Sequence, residues 1–88
     1  MQKSVYAVYD CKAQIFGNPF FALNDGVALR DFSTAATDPA STISQHPVDF
    51  SLFKIGMYDD FKGQLMPLEA NINLGLASQF TQGELNVS

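Results

Sequence analysis

The stretch that decides the fold is FSLFKIGMYDDFKGQLMPLEA, Phe50 to Ala70. It predicts two strands around a short charged turn, because the DDFKG segment at 59–63 supplies turn residues between two apolar runs. Side chains alternate across a strand, and the first of these strands, 49–58, is apolar or aromatic on both faces. Both faces of such a strand must be shielded from water by other parts of the protein or by a partner. The sequence therefore predicts that a helix covers one face of the sheet and that a partner uses the other.

Alternation divides strand 49–58 into two sets of side chains. The wholly apolar set is favoured as the core face and comprises Phe53, Ile55 and Met57. The other set is predicted to project away from the core and comprises Phe50, Leu52, Lys54 and Tyr58. The return strand is predicted at 64–68, with Pro67 weakening its pairing because proline cannot donate to a ladder.

The N-terminal part predicts a second hairpin. The segment 4–10, SVYAVYD, is rich in valine and tyrosine and is typical of a strand. After a turn at 10–14, a second strand is expected from about 15 to 23. Gly17-Asn18-Pro19 interrupts it, which predicts an edge strand or a bulged strand.

One helix is predicted between the hairpins, from about 25 to 37. Asn24 and Asp25 form a good start, because their side chains can accept from the free amides of the first turn. An apolar stripe then recurs with a spacing near 3.6 residues, and it comprises Val27, Ala28, Phe32, Ala35 and Ala36. The segment 39–48 is polar and predicts a surface loop. Residues 70–80 fit a short strand, a helical turn or a packed tail.

These elements predict an α+β fold in the order β-β-α-β-β, with an antiparallel sheet and one main helix on one face. At 88 residues a single domain spanning 1–88 is expected, ordered over about 4–80, with a frayed tail at 81–88. Such a small domain buries modest surface, and 16% charged against 47% hydrophobic residues favours self-association, most simply as a dimer. No segment is long and apolar enough for a membrane span.

The charge balance bears on partners. Five basic against nine acidic residues give a net charge of −4, which argues against strong sequence-independent binding to phosphate backbones. Any contact with nucleic acid must use a local patch. A single cysteine, Cys11, and the absence of a signal-peptide pattern predict a reducing, cytoplasmic setting.

The candidate DNA-binding residues are aromatics beside a cation. Phe50, Lys54 and Tyr58 are predicted to project together, joined by a tyrosine of the first strand, and such a surface can stack unpaired bases and offset a phosphate. Lys12 and Lys62 lie in the two predicted turns and could form a basic patch if both turns meet at one end of the sheet. For the aromatic surface, the competing interpretation is that the C-terminal segment or a second subunit covers this face. For the two lysines, it is that they are isolated surface residues.

The sequence shows no pattern typical of an enzyme active site, of a metal site or of a cofactor-binding site. Asp59-Asp60, with Asp49 or Glu69, matches no calcium loop and is typical of a solvated turn. His46 lacks a nucleophile or a second histidine nearby in sequence. Asp10 beside Cys11 disfavours a reactive thiolate.

Three segments carry a family resemblance: VYDCK at 8–12, PFFA at 19–22, and LFKIG at 52–56 with PLEA at 67–70. Over roughly 4–80 the chain resembles the small nonstructural protein of gokushovirus-type microviruses, which are bacteriophages with single-stranded DNA genomes. The resemblance implies a DNA-binding role in viral single-stranded DNA synthesis and genome packaging in the host bacterial cytoplasm. The alternative is a dimeric adaptor that binds no DNA and recruits or regulates replication or procapsid proteins.

Overall fold

A computed structural model describes residues 1–81 of the chain. Its elements, in chain order, are β1 (Gln2–Asp10), β2 (Ile15–Phe16), β3 (Phe20–Ala22), α1 (Asp25–Thr37), α2 (Thr42–Gln45), β4 (Phe50–Asp59) and β5 (Gln64–Leu76). All strand pairs are antiparallel, which confirms the predicted α+β class. The frayed tail predicted at 81–88 lies, from residue 82 onward, outside the described residues.

The sheet has the order β2-β1-β4-β5, and β3 pairs with β1 along the same edge as β2. Tyr9 pairs with Phe16, and Val5 pairs with Phe21, so β2 and β3 are two pieces of one interrupted strand. The interruption is the predicted Gly17-Asn18-Pro19 segment. The turn at 11–14 that precedes it is fixed by Asp10, whose carboxylate accepts from the backbone N–H groups of Lys12 and Ala13 at 3.0 and 3.2 Å.

Helix α1 has the predicted bounds and the predicted cap. The Asn24 side chain accepts from the backbone N–H of Val27 at 2.9 Å, satisfying one free donor of the first turn. The buried side chains of the helix are Ala28, Phe32 and Ala36, which lie four residues apart on one stripe. This stripe packs onto the sheet.

The core lies between the helices and one face of the sheet, called here the helix face. Its buried members are Tyr6, Ala22, Ala28, Phe32, Ala36, Leu52 and Ala77, and partly buried neighbours include Val8, Phe20, Ile43, Phe50 and Phe80. The register pairs Val8 with Leu52 and Tyr6 with Lys54, so both strands contribute alternate residues to this face. Every helical segment within residues 1–81 contributes a side chain to this cluster.

The predicted core face of β4 was wrong. Leu52 and Phe50 belong to the helix-face core, whereas Phe53, Ile55 and Met57 are absent from that cluster. Lys54 explains the error, because a lysine in the middle of a strand suggests a solvent-facing set. Its ammonium Nζ lies 3.8 Å from Asp25 Oδ1 at the start of α1, so the charge has a partner at the rim of the core.

Two other regions differ from the predictions. The expected loop at 39–48 contains the short helix α2, capped by Ser41, and its Ile43 packs against the core. Strand β5 continues past Pro67 to Leu76. Its pairing with β4 shifts after the Gly56–Pro67 pair and resumes at Lys54 with Ile72, so the four residues 68–71 lie opposite Ile55 alone and form a large bulge. The chain is then helical over 77–81.

Candidate nucleic-acid interface

The sheet face opposite the helices, called here the open face, is apolar and rich in aromatic rings. Strand pairing places Val5, Ala7 and Tyr9 of β1 on it, together with Phe53 and Tyr58 of β4. The pairs Tyr9–Phe16 and Val5–Phe21 add the edge aromatics. Phe16 and Phe21 remain 39% and 54% exposed, although each packs against neighbouring rings. The open face is therefore a partly solvated apolar surface on a three-strand platform.

Three rings form a cluster at the end of the open face where β1 turns into β2. The aromatic cluster comprises Tyr9, Phe16 and Phe53, with centroid distances of 4.7 Å between Tyr9 and Phe16 and 5.5 Å between Phe16 and Phe53. The Tyr9 and Phe53 rings lie 6.1 Å apart and nearly perpendicular. Tilted and edge-on contacts of this kind fix the rings against one another. Phe16 is exposed and Tyr9 and Phe53 are partly exposed, so the cluster presents pre-ordered aromatic surface to solvent.

A second aromatic pair lies toward the other end of the open face. The Phe21 and Tyr58 rings are 5.4 Å apart. Lys3 pairs with Tyr58 across β1 and β4 and shares its face. Beside this pair is an apolar depression of about 340 Å³, lined by Val5, Pro19, Phe21, Ile55, Gly56, Met57, Leu65, Met66 and Pro67.

Glycine is required at the floor of the depression. A side chain at position 56 would place its Cβ 2.7 Å from the Met66 carbonyl oxygen, closer than carbon and oxygen normally approach. Gly56 therefore lets β4 and β5 lie close together just before the bulge at 68–71. The close approach helps to shape the depression on the open face.

The predicted grouping of Phe50, Lys54 and Tyr58 on one face was wrong. Register places Phe50 and Lys54 on the helix face and Tyr58 on the open face, because β4 contains an irregularity between Lys54 and Gly56. Phe50 packs against the core, and Lys54 is paired with Asp25. Of these three residues, Tyr58 alone lies with the exposed aromatics.

Lys12 and Lys62 lie at opposite ends of the sheet. Lys12 lies in the turn beyond the Asp10–Phe50 pair, and Lys62 lies in the turn between Asp59 and Gln64 at the far end of β4. They do not share the basic patch that a common end would have created. Lys12 instead lies in the turn that joins the two strands carrying Tyr9 and Phe16, next to the aromatic cluster.

The acidic residues are concentrated away from the open face. Five of the nine lie on the helix face or on α1 and its end, and they are Asp10, Asp25, Asp31, Asp38 and Asp59. Among the sheet-paired residues of the open face, Lys3 is the charged residue, and its charge is positive. The net charge of −4 therefore overstates the negative potential that a ligand meets at the open face.

Asp60, in the β4–β5 turn, lies close to Lys3 and partly offsets its positive charge. Its carboxylate lies 2.9 Å from the Met1 ammonium and 3.8 Å from Lys3 Nζ. The hydrogen bond from the N-terminal ammonium holds the pKa of Asp60 below its usual value and raises the pKa of the N-terminus. Asp60 therefore contacts both the N-terminus and Lys3, and it partly offsets the positive potential that Lys3 presents at the open face.

On the helix face, Tyr6 is the titratable group with a perturbed environment. The Tyr6 side chain is fully buried, and its hydroxyl donates to Asp25 Oδ1 at 2.6 Å. Burial, followed by this hydrogen bond to a carboxylate, raises the pKa of Tyr6. The pair ties the start of α1 to β1 and leaves the open face untouched.

Sequence reasoning missed Phe16, Phe21 and Phe53 as members of the exposed surface. Phe16 and Phe21 flank the Gly17-Asn18-Pro19 interruption, and the available signal was their position opposite the apolar set of β1. Phe53 was assigned to the core. Within residues 1–81 there is no cluster of three metal-ligating side chains and no helix long and apolar enough to cross a membrane.

Comparisons with known proteins place the chain among phage proteins. The family model described as Phage ORF5 protein matches residues 3–80. Protein ORF5 of Chlamydia phage 1 is 31% identical over 96 residues, covering 97% of this chain and all of that protein. No solved structure matches the chain. These matches confirm the resemblance to small proteins of microvirus-type phages.

Proposed function

The chain belongs to the Phage ORF5 protein family, and from that membership and the open face we propose that it associates with single-stranded viral DNA. As a nonstructural protein of the infected bacterial cytoplasm, it would hold the unpaired strand during genome synthesis and packaging. The proposal is for weak binding without sequence preference. No cofactor or catalysis is required for this role.

The aromatic cluster is the observation that carries the proposal. Single-stranded DNA exposes the faces of its bases, and stacking on an aromatic side chain contributes about 1–3 kcal/mol per base. Tyr9, Phe16 and Phe53 are held by mutual contacts at the edge of a rigid sheet, so little ordering is needed on binding. Aromatics on an exposed sheet face are also how several single-strand binding folds stack bases. Base stacking depends little on base identity.

The cations around the open face set the expected salt dependence. Lys12 adjoins the aromatic cluster, Lys3 adjoins Tyr58, and Lys62 lies in the turn beyond. If all three contact phosphates, log affinity falls with log salt concentration with a slope of about −2, since each neutralised phosphate of a single strand contributes about −0.7. A steeper slope would contradict binding at the open face.

The first experiment measures fluorescence anisotropy of a labelled oligothymidylate titrated with the protein at low salt, with duplex DNA as the competitor. Replacement of Phe16 by alanine is expected to weaken binding by about 5- to 150-fold, the loss of one stacking partner. The matched control is Ile15→Ala in the same two-residue strand. Ile15 is 63% exposed but pairs with Asp10, so its side chain lies on the helix-face side of the strand.

A second pair of variants tests the electrostatic part. Lys12→Ala is expected to make the salt slope less steep by about 0.7, as one phosphate contact is lost. Arg30→Ala removes the same charge from exposed α1 and is expected to leave the slope unchanged. If both variants shift affinity equally, net charge rather than a site governs binding. If wild type binds no single strand at low salt, direct DNA association is wrong.

The apolar depression favours a second candidate function, an interaction module that recruits or regulates replication or procapsid proteins. Its lining lacks charged side chains and includes Val5, Phe21 and Leu65, which strand pairing places on the open face. This alternative would be supported if the protein binds no DNA but binds a viral or host protein, and if Leu65→Glu abolishes the binding to that protein.

A further inference from the structure

The β4–β5 hairpin carries a projecting apolar side chain that folding of the monomer does not use. Phe61, at the hairpin tip, is 89% exposed, the highest value among the exposed large hydrophobic residues within 1–81. Turn tips are normally occupied by glycine, proline, asparagine, aspartate or serine. A phenyl ring held in water at this position gains nothing for the stability of one copy.

The turn is built to hold Phe61 in place. The Asp59 carboxylate accepts from the backbone N–H groups of Phe61 and Lys62 at 2.9 and 3.3 Å. Gly63 completes the reversal with a positive φ of 64°. Asp60 is tied to the N-terminal ammonium on the neighbouring strand. The backbone of the tip is therefore ordered before any partner binds, which lowers the entropic cost of using Phe61 as an anchor.

The apolar depression offers a matching recess on the same hairpin. An apolar cavity of about 150 Å³ suffices to hold a benzene ring, and the depression measures about 340 Å³. Its floor is Gly56 opposite Pro67, and Leu65 and Met66 form the side nearer the tip. The recess therefore has the size and the chemistry to receive a phenyl side chain.

We propose that two copies of this chain form a symmetric dimer in which Phe61 of each copy occupies the apolar depression of the other. Phe61 lies five residues beyond Gly56, two of them in the turn after β4, so the two residues are at most roughly 17 Å apart at about 3.3 Å per residue. A twofold axis midway between tip and recess brings both anchors into register at once. Such a self-complementary contact is the usual form of a homodimer interface.

The residues around anchor and recess support this arrangement. Leu65, which is 65% exposed and pairs with Tyr58, lies between the tip and the recess, so the two copies of Leu65 meet near the axis. Lys62 follows the anchor, and Glu69 lies two residues beyond Pro67 at the rim. Both are exposed, and neither forms an ion pair within residues 1–81. Opposite charges can therefore pair across the contact.

The dimer would leave the aromatic cluster free. Tyr9, Phe16 and Phe53 lie at the other end of the open face, beyond the lining of the depression. The aromatic cluster is thus independent of the dimer contact, and a dimer that also bound DNA would carry two stacking platforms. Lys62 would then be paired across the contact, so Lys3 and Lys12 alone would contact phosphates and the salt slope would be about −1.4.

Sedimentation equilibrium over a range of protein concentrations tests the proposal. Wild type is expected to dimerise, and Phe61→Ala is expected to raise the dissociation constant about 30-fold or more, as for a central aromatic anchor. Because Phe61 is almost fully exposed in one copy, the variant keeps its fold, which circular dichroism checks. The matched control is Phe16→Ala, an exposed phenylalanine at the other end of the face, and it is expected to dimerise as wild type.

Charge exchange sharpens the test. Lys62→Glu and Glu69→Lys are each expected to weaken the dimer about 2- to 5-fold, and the double variant is expected to restore it. A monomeric wild type, or equal weakening by Phe16→Ala and Phe61→Ala, would overturn the proposal. Failure of the double variant to recover would overturn the predicted pairing of rim charges. In DNA titrations, loss of binding by Phe16→Ala with an intact dimer separates the two proposals.

Discussion

The two faces of one sheet are built from the same kinds of residue but are used differently. On the helix face, Tyr6 and Leu52 are fully buried by helix α1 and its neighbours. On the open face, Tyr9 and Phe53 pack against other rings and stay partly solvated. Aromatic content therefore does not identify the core of this protein. The largest fully buried side chains, Tyr6 and Leu52, lie on the face that meets the apolar stripe of the helix, whereas the buried residues of β1 on the open face are the smaller Val5 and Ala7.

Neighbouring residues on β4 provide the strongest test of this difference. Leu52 faces the helix and Phe53 faces the open side, so alanine at position 52 is expected to lower the free energy of unfolding by about 2–5 kcal/mol. Alanine at position 53 removes a larger side chain but leaves no sealed cavity, and a smaller loss is expected. Urea denaturation followed by circular dichroism measures both.

The same two variants have opposite expected effects on ligand binding. Phe53→Ala is expected to weaken binding to oligothymidylate under conditions where it remains folded, whereas folded Leu52→Ala keeps its affinity. If Phe53→Ala destabilises the protein as much as Leu52→Ala, the open face is as much a core as the helix face.

Close packing of β4 against β5 gives the next largest effect. Gly56→Ala would place a Cβ 2.7 Å from the Met66 carbonyl oxygen, which forces the strands apart. The expected loss is about 1–3 kcal/mol, as for other overpacked sites. Gly17→Ala is the control, since its Cβ would meet Val8 oxygen at an ordinary 3.6 Å. If the two variants were equally stable in urea, β5 would be able to shift away from position 56 with little loss of stability.

The sequence was sufficient to predict local structure. Asn24 before an apolar stripe gave the bounds of α1, and Gly17-Asn18-Pro19 gave the break between β2 and β3. The antiparallel sheet and its covering helix also follow from alternation and turn chemistry. These features depend on residues close together in the chain, and the structure confirms them.

The assignment of faces could not be predicted in the same way. The pairing shift between Val5 and Tyr6 against β4, and the irregularity after Lys54, change which side chains share a face. The ion pair of Lys54 with Asp25 joins residues 29 positions apart and makes an inward lysine acceptable. Both are tertiary features that local sequence does not reveal. The candidate site is therefore the aromatic cluster and not the predicted group that included Phe50 and Lys54.

The smallest expected effect concerns Tyr6, the aromatic residue that links the helix face to α1. Replacement by phenylalanine removes the hydrogen bond to Asp25 and is expected to cost about 1 kcal/mol, because the half-exposed carboxylate can recover solvent.

The pH dependence identifies this contact. Burial and the Asp25 hydrogen bond raise the folded-state pKa of Tyr6 above its ordinary value of 10.0. Below pH 10 both the folded and the unfolded phenol keep the proton, so the contribution is fully present. Above pH 10 the unfolded phenol ionises first, and stability falls as pH rises toward the folded-state pKa. Tyr6→Phe lacks this loss, so its disadvantage against wild type is expected to narrow above pH 10 in urea titrations. Parallel stability curves would mean that Tyr6 titrates as it does in the unfolded chain, and the distinction between a sealed helix face and a solvated open face would be weaker than the structure indicates.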